Sequence, residues 1–173
     1  SVKEKELISQ IINLLKEHRL VQALFAKFHV PIDEIHNIPI EFGDIDASAK
    51  AKDGVIYINR CFLEDGNIID DIHYIVHELT HILQQRAGLV SNHKFDHYLD
   101  NPHELEAFQH QIEFIDDYQG DDASKDYVDE LLDFHDIDGF ERKDKEEELF
   151  QRVAFRIKRG AKIDNMKGQY PNY

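Results

Sequence analysis

The chain is poor in the features that staple or anchor small proteins. Cys61 is its single cysteine, so no disulfide can form within the chain, and the lack of a disulfide framework fits a reducing compartment. No apolar run approaches the roughly 18 residues of a membrane span, so no spanning helix is expected, nor a membrane partner. The N-terminal segment is amphipathic and charged rather than a signal peptide, so the chain is expected to be cytoplasmic. It begins at Ser1 rather than Met, which leaves N-terminal processing open. Basic residues are also scarce: 20 Lys plus Arg face 35 Asp plus Glu, for a net charge of −15. That balance argues against binding a phosphate backbone, and no nucleic-acid partner is expected. Much of the acidic excess sits between Asp116 and Asp138, where a solvated, solubilising face is a simpler reading than a site for basic peptides. Toward the end Arg152, Arg156, Lys158, Arg159, Lys162 and Lys167 reverse the sign, either to dock an acidic partner or to pair with the acidic middle.

What is present is enough apolar material for one core. With 173 residues and 42% hydrophobic content the chain should fold without staples as a single domain over 1–160, followed by a flexible tail over 161–173. There is no internal repeat and no low-complexity tract. Leu7, Ile11, Leu14 and Leu15 recur at helical spacing within 2–19, and a second helix over 20–29 is stopped by Pro31. The pattern then changes to short apolar runs, Ile38-Pro39-Ile40-Glu41-Phe42 and Val55-Ile56-Tyr57-Ile58, with Lys52-Asp53-Gly54 as turn residues, which predicts a sheet of two or three strands within 38–59. Helical periodicity returns over 68–87 and 102–118, then within 124–159 as two helices, 124–135 and 143–159. The expected class is α+β, mainly helical, with a small sheet before the helix that carries the most informative motif.

That motif is His77-Glu78-Leu79-Thr80-His81. On a helix of about 3.6 residues per turn, positions 77 and 81 lie one turn apart on one face, so both imidazoles can bind one metal ion with Glu78 beside it. A carboxylate next to a metal-activated water is what a hydrolase needs, because the metal lowers the water's pKa toward roughly 7 and the carboxylate takes the proton. Eleven histidines raise the chance of an accidental match. An accident, however, needs no helix around it, whereas Ile68, Ile72, Ile75, Val76, Leu79, Ile82 and Leu83 form a buried stripe through the motif.

A catalytic zinc takes three protein ligands and keeps one position open. The third donor is best sought in Asn101-Pro102-His103-Glu104-Leu105-Glu106-Ala107-Phe108, where Asn101 reads as an N-cap and Pro102 as the first helical residue. Glu104 projects from that first turn. It stands either as a metal ligand or, three residues after Asn101, as a capping-box glutamate.

Taken together, these residues resemble a small gluzincin, the zincin group of metallopeptidases in which H-E-x-x-H is followed by a glutamate ligand on a later helix, often as Glu-x-x-Ala. Glu104-Leu105-Glu106-Ala107 matches that pattern and selects Glu104 over Glu106. Asp53-Gly54-Val55-Ile56-Tyr57-Ile58-Asn59 is similar to the edge strand before the active helix in compact ImmA/IrrE-type peptidases. The resemblance spans about Ile38 to Ile115 and departs at Phe108, where many relatives carry Asp or Asn. It implies a zincin-like domain, Zn²⁺ held by His77, His81 and Glu104, Glu78 as general base, and a peptide or protein substrate. It also makes Val55–Asn59 the strand beside which extended substrate pairs, unless that strand is interior. An oxyanion donor is not selected by spacing among His110, Tyr98, His97 and Tyr118. His73 is either a neighbour supporting the ligands or an ordinary solvated histidine, and Asp100 either orients a ligand imidazole or initiates the following helix. The function expected is zinc-dependent peptide hydrolysis by an endopeptidase. The alternatives are a zincin-fold regulatory module acting on one partner protein and a metal-free helical scaffold.

Overall fold

The structure, a computed structural model, describes residues 1–64, 68–89, 95 and 97–159. The expected tail lies outside these residues. Helix α1, Val2–Glu17, opens with a capping box in which Ser1 Oγ accepts from the Glu4 N–H while the Glu4 side chain reaches back to the N-terminal amine. It buries Ile11 and Leu15. Helix α2, Arg19–Lys27, starts at His18, whose Nδ1 accepts from the Leu20 N–H, and buries Val21, Leu24 and Phe25. The expected helical pair is therefore present, broken at His18.

Three strands follow: β1, Ile40–Gly43; β2, Ala49–Lys52; and β3, Val55–Asn59. β2 and β3 form an antiparallel hairpin, and Asp53 and Gly54 at its tip both take the left-handed backbone (φ 53° and 80°) that a two-residue type I′ turn requires. β1 pairs with β3 in parallel, so the order is β1-β3-β2 and Val55–Asn59 is the central strand. This corrects the expectation that Val55–Asn59 is the edge. Both sides of its backbone are already paired, and the edge that faces the motif helix is β2.

Helix α3 spans His73–Arg86, shorter than the expected 68–87 because Ile68–Asp71 winds as a 3₁₀ turn, with the Asp70 carbonyl accepting from Gln119 Nε2. α3 stops in a Schellman motif: Gly88 at φ 74° lets its N–H reach the Gln85 carbonyl and the Leu89 N–H reach that of Gln84. Helix α4, Pro102–Gln119, follows the short turn Tyr98–Asp100. Helices α5, Asp121–Phe134, α6, Gly139–Leu149, and α7, over 151–159, complete the described chain. A turn at Phe150 divides the last two where one helix over 143–159 was expected. The fold is thus α+β and mainly helical, with its small sheet before the motif helix. Among the described residues no helix is long and apolar enough to cross a membrane.

Two buried clusters meet at α4. One is built from α1, α2, the sheet and α3, through residues such as Leu15, Phe25, Ile56, Ile58, Leu79 and Leu83, and takes Phe114 from α4. The other joins Leu99, Phe108 and Ile112 to Val128, Leu132, Leu149 and Val153. α3 and α4 pack together along this seam, and the polar residues of interest lie on their facing sides. The basic C-terminal residues find acidic partners: Arg152 pairs with Glu113, and Arg156 with Asp116 and Asp117.

Candidate metal centre

One stripe of α3 carries His73, His77, His81 and Gln84, and one stripe of α4 carries Glu104, Phe108 and Gln111; the helix–helix seam brings the two stripes face to face. His77 Nε2 and His81 Nε2 lie 3.2 Å apart. Glu104 closes the group, with Oε1 at 2.7 Å from His81 Nε2 and Oε2 at 3.4 Å from His77 Nε2. Asn101 caps α4 by accepting from the His103 N–H, with Pro102 entering the first turn as expected. Glu104 turns to the histidines rather than back to that cap.

The donors fit a small cation. Metal–nitrogen and metal–oxygen bonds of about 2.0–2.2 Å arranged tetrahedrally place ligand atoms about 3.3–3.5 Å apart. The 3.2 and 3.4 Å separations match that spacing, while the 2.7 Å between Glu104 Oε1 and His81 Nε2 is the shorter distance of a hydrogen bond. Glu104 Oε2 is buried and has no hydrogen-bond partner, a costly state for a carboxylate oxygen that a cation would relieve. His77, His81 and Glu104 therefore form a group that can hold a metal ion.

Electrostatics follow from the same packing. Burial works to raise the Glu104 carboxyl, but the hydrogen bonds and charges of His77 and His81 outweigh it and hold the group well below the usual carboxylate range. Burial opposes protonation of His81, yet Glu104 wins and raises its pKa. Glu78 sits beside the ligands with Oε2 accepting from the Ala51 N–H of β2 at 2.9 Å. Burial raises its carboxyl against the pull of both histidines and that amide.

Two glutamines that carry no recognisable motif bond the two imidazoles. Gln111 Oε1 lies 2.9 Å from His77 Nδ1, and Gln84 Oε1 lies 2.9 Å from His81 Nδ1. The spacing was available in the sequence: Gln84 is three residues past His81, and Gln111 two turns past Glu104. His73 is buried rather than solvated and is joined to the ligands through Gln111, whose Nε2 lies 2.9 Å from His73 Nδ1. Burial, aided by His77, holds His73 down at about 4. Phe108 packs edge-on against His77 with ring centroids 4.5 Å apart, so an aromatic contact covers this side of the imidazole.

The remaining candidates separate by position. Asp100 does not orient an imidazole; its carboxylate accepts from Lys145 Nζ at 2.9 Å. His110 is buried on another side of α4, 3.1 Å from Lys27 Nζ, and burial with Arg152 and Lys27 pushes it down to about 2. Tyr118 stacks on Phe114, and neither it nor His97 lines the clefts described next. Tyr98 does, with its phenol against Glu104; burial and that carboxylate raise its pKa, so it remains a hydrogen-bond donor.

Two clefts flank the centre and share Glu78 and Tyr98. One, of about 470 Å³, is lined by Tyr74, Phe108, Tyr127, Leu131 and Phe134, with Ala47, Ser48 and Ala49 along its rim. The other, of about 320 Å³, is polar and is lined by Lys50, Ala51, His81, Gln85 and Glu104. The edge strand β2 thus runs past the centre from the apolar cleft to the polar one. No family model, no curated protein and no solved structure matches the chain.

Proposed function

We propose that this chain is a zinc-dependent metallopeptidase, a small zincin-type hydrolase acting on a peptide or protein substrate. The observation that carries the reading is the convergence of two imidazole Nε2 atoms and a partnerless carboxylate oxygen, with a second carboxylate, Glu78, beside them. Two nitrogen donors and one oxygen donor at tetrahedral spacing suit zinc among the common divalent ions. Zinc, when bound, supplies Lewis acidity that polarises a carbonyl and brings a water's pKa toward about 7.

The chain's own residues supply the rest. Glu78 takes the proton of the attacking water and returns it to the leaving amine. A carboxyl raised by burial is the better base for this, because its pKa lies nearer the working pH. The Ala51 N–H fixes the Glu78 carboxylate against the edge strand. Tyr98, protonated and shared by both clefts, is placed to donate to the developing oxyanion. Extended substrate backbone pairs along β2, while the aromatic cleft takes an apolar side chain on one side of the scissile bond.

The test is elemental analysis of protein purified without an affinity metal or chelator, for wild type and His81→Ala, followed by cleavage of a peptide library. Near-stoichiometric zinc in the wild type, lost in the variant, and cleavage that stops in Glu78→Gln are the expected results. Protein that stays metal-free after zinc is added back would overturn the reading.

A further inference from the structure

The apolar cleft beside the centre has walls made chiefly of aromatic rings, and Leu131 is the one branched aliphatic side chain among its described lining residues. The rings form two sets. Tyr74 of α3 and Tyr127 of α5 meet edge to face, with centroids 6.2 Å apart and planes at 71°. Tyr98 meets Phe108 of α4 in the same way, at 6.0 Å and 77°, and stacks on His135 at 5.4 Å and 13°. Among the described residues neither Tyr74 nor Tyr127 makes a ring contact with Tyr98 or Phe108, yet both sets line the same cleft of about 470 Å³. The hydroxyls of Tyr74 and Tyr127 are taken by Ser48 and Gln111, so these two side chains offer the cleft ring rather than hydroxyl. Phe134, at the end of α5, adds a ring that is 81% exposed and has little cover from the chain itself. Along the rim Ala47, Ser48 and Ala49 are small, which keeps the space open where β2 begins.

We propose that this cleft is a subsite for an aromatic side chain, that of Phe, Tyr or Trp, and that Tyr74, Tyr127 and Phe134 set the preference for it over an aliphatic one. A ring is electron-rich on its faces and electron-poor at its edges, so an incoming ring gains edge-to-face or offset contacts with the rings already there. A saturated side chain of the same size gains burial alone. Each ring pair is worth about a 2–10-fold preference. Cyclohexyl has nearly the outline of phenyl and is the more apolar, so burial alone ranks it equal or better; ring contacts reverse that order. The occupant's identity as a substrate side chain rests on the metallopeptidase reading above. On that reading the substrate class is a chain whose aromatic residue enters the cleft while its backbone runs along β2 past Glu78, which lines the same cleft. The preference for a ring needs neither metal nor turnover.

The experiment titrates the full chain, first with chelator and then with Zn²⁺, with the N-acetyl amides of phenylalanine, cyclohexylalanine, leucine and arginine. Ring-proton shifts of Tyr74 and Tyr127 report occupancy of the cleft. In the wild type the phenylalanine amide should bind about 2–10-fold tighter than the cyclohexylalanine amide. Tyr127→Leu and Phe134→Leu should each shrink that ratio, and Phe134→Leu changes an exposed ring, so the fold is not at stake. With Zn²⁺ bound, peptides that differ only at this residue should show the same order in kcat/KM. A cyclohexylalanine amide that binds as well or better would overturn the proposal. So would tighter binding of the arginine amide, which would mean a cation held over the ring faces. Absence of any shift at Tyr74 and Tyr127 would overturn it too, and an unchanged ratio in the folded variants would remove those residues from the preference. The wild-type ranking decides the matter even if Tyr127→Leu fails to fold. If the ranking holds but the Zn²⁺-loaded protein cleaves no peptide bearing an aromatic residue, the metallopeptidase reading fails while the aromatic subsite stands.

Discussion

Glu78 differs from the other carboxylate of the centre by one contact: its oxygen is tied to a backbone amide of the sheet rather than to the histidines. On the proposed metallopeptidase reading, Glu78→Gln preserves an acceptor for the Ala51 N–H but removes the base, so metal content should stay at the wild-type level while turnover falls about 10²–10⁴-fold. Retained turnover in that variant would remove Glu78 from the mechanism. For the third ligand, Glu104→Ala should lose most metal affinity, because it deletes a donor. Glu106→Ala should cost much less, since the His103 carbonyl still holds Gln84 in place. The opposite ranking, read by chelator competition, would transfer the ligand role. At this scale the legible residues were those whose chemistry is fixed by one helical turn: His77, Glu78 and His81 are set by spacing alone. Gln84 and Gln111 were not legible, because an amide has no charge to advertise it and its role depends on which helix packs opposite; His73 was named by its spacing, but its burial depends on that same packing.

Elements carry the larger difference between pattern and structure. The hairpin turn at Asp53-Gly54 and the apolar alternation of Val55–Asn59 were readable, but β2 was not. Ala49-Lys50-Ala51-Lys52 offers no large apolar side chain because one side of this strand faces the cleft rather than the core. Without β2, the strongest strand pattern is mistaken for the edge; its β-branched residues Val55, Ile56 and Ile58 are there because neighbours cover it on both sides. The helices fared better, since the period of Leu and Ile on α1, α3 and α4 is set by burial of one stripe, and Asn101 and Pro102 mark the start of α4. The position of β2 leads to a specific expectation. The Ala51 N–H points to Glu78, so Ala51→Pro deletes that donor while leaving the β2–β3 pairing largely intact. A lost hydrogen bond to a charged group costs about 1.5–3 kcal/mol, which corresponds to roughly a 10–100-fold drop in kcat/KM. Zinc content should not change. Unaltered kcat/KM would show that the amide has no part in holding the base.

At the level of the whole molecule, the centre lies where two apolar clusters join along α4, and the polar groups that stitch the seam have acid-sensitive consequences. His73 and His110 are buried and neutral, held at about 4 and about 2 against an ordinary value of 6.5. For a base held low in the fold, the unfolded chain takes up a proton that the native state refuses. Stability is therefore complete above about pH 6.5 and falls as pH drops, levelling for His73 below about 4 and continuing toward about 2 for His110. Over its window His73 alone accounts for about 3 kcal/mol. Glu104, held low by the histidines, adds loss only below the carboxylate range, as pH falls from its unfolded value of 4.5 through its native one. His81 acts in the other direction. Its pKa is raised by Glu104, so its contribution is full below 6.5 and is lost as pH climbs through the native value. Metal-free protein should accordingly be most stable near neutral pH. In denaturant titrations with chelator present, unfolding free energy should fall between pH 6.5 and 4, and His73→Gln, which has nothing to titrate there, should flatten that slope. An unchanged slope in the variant would mean that His73 is protonated in the native fold, and the buried link from Gln111 to His77 would then have to be redrawn.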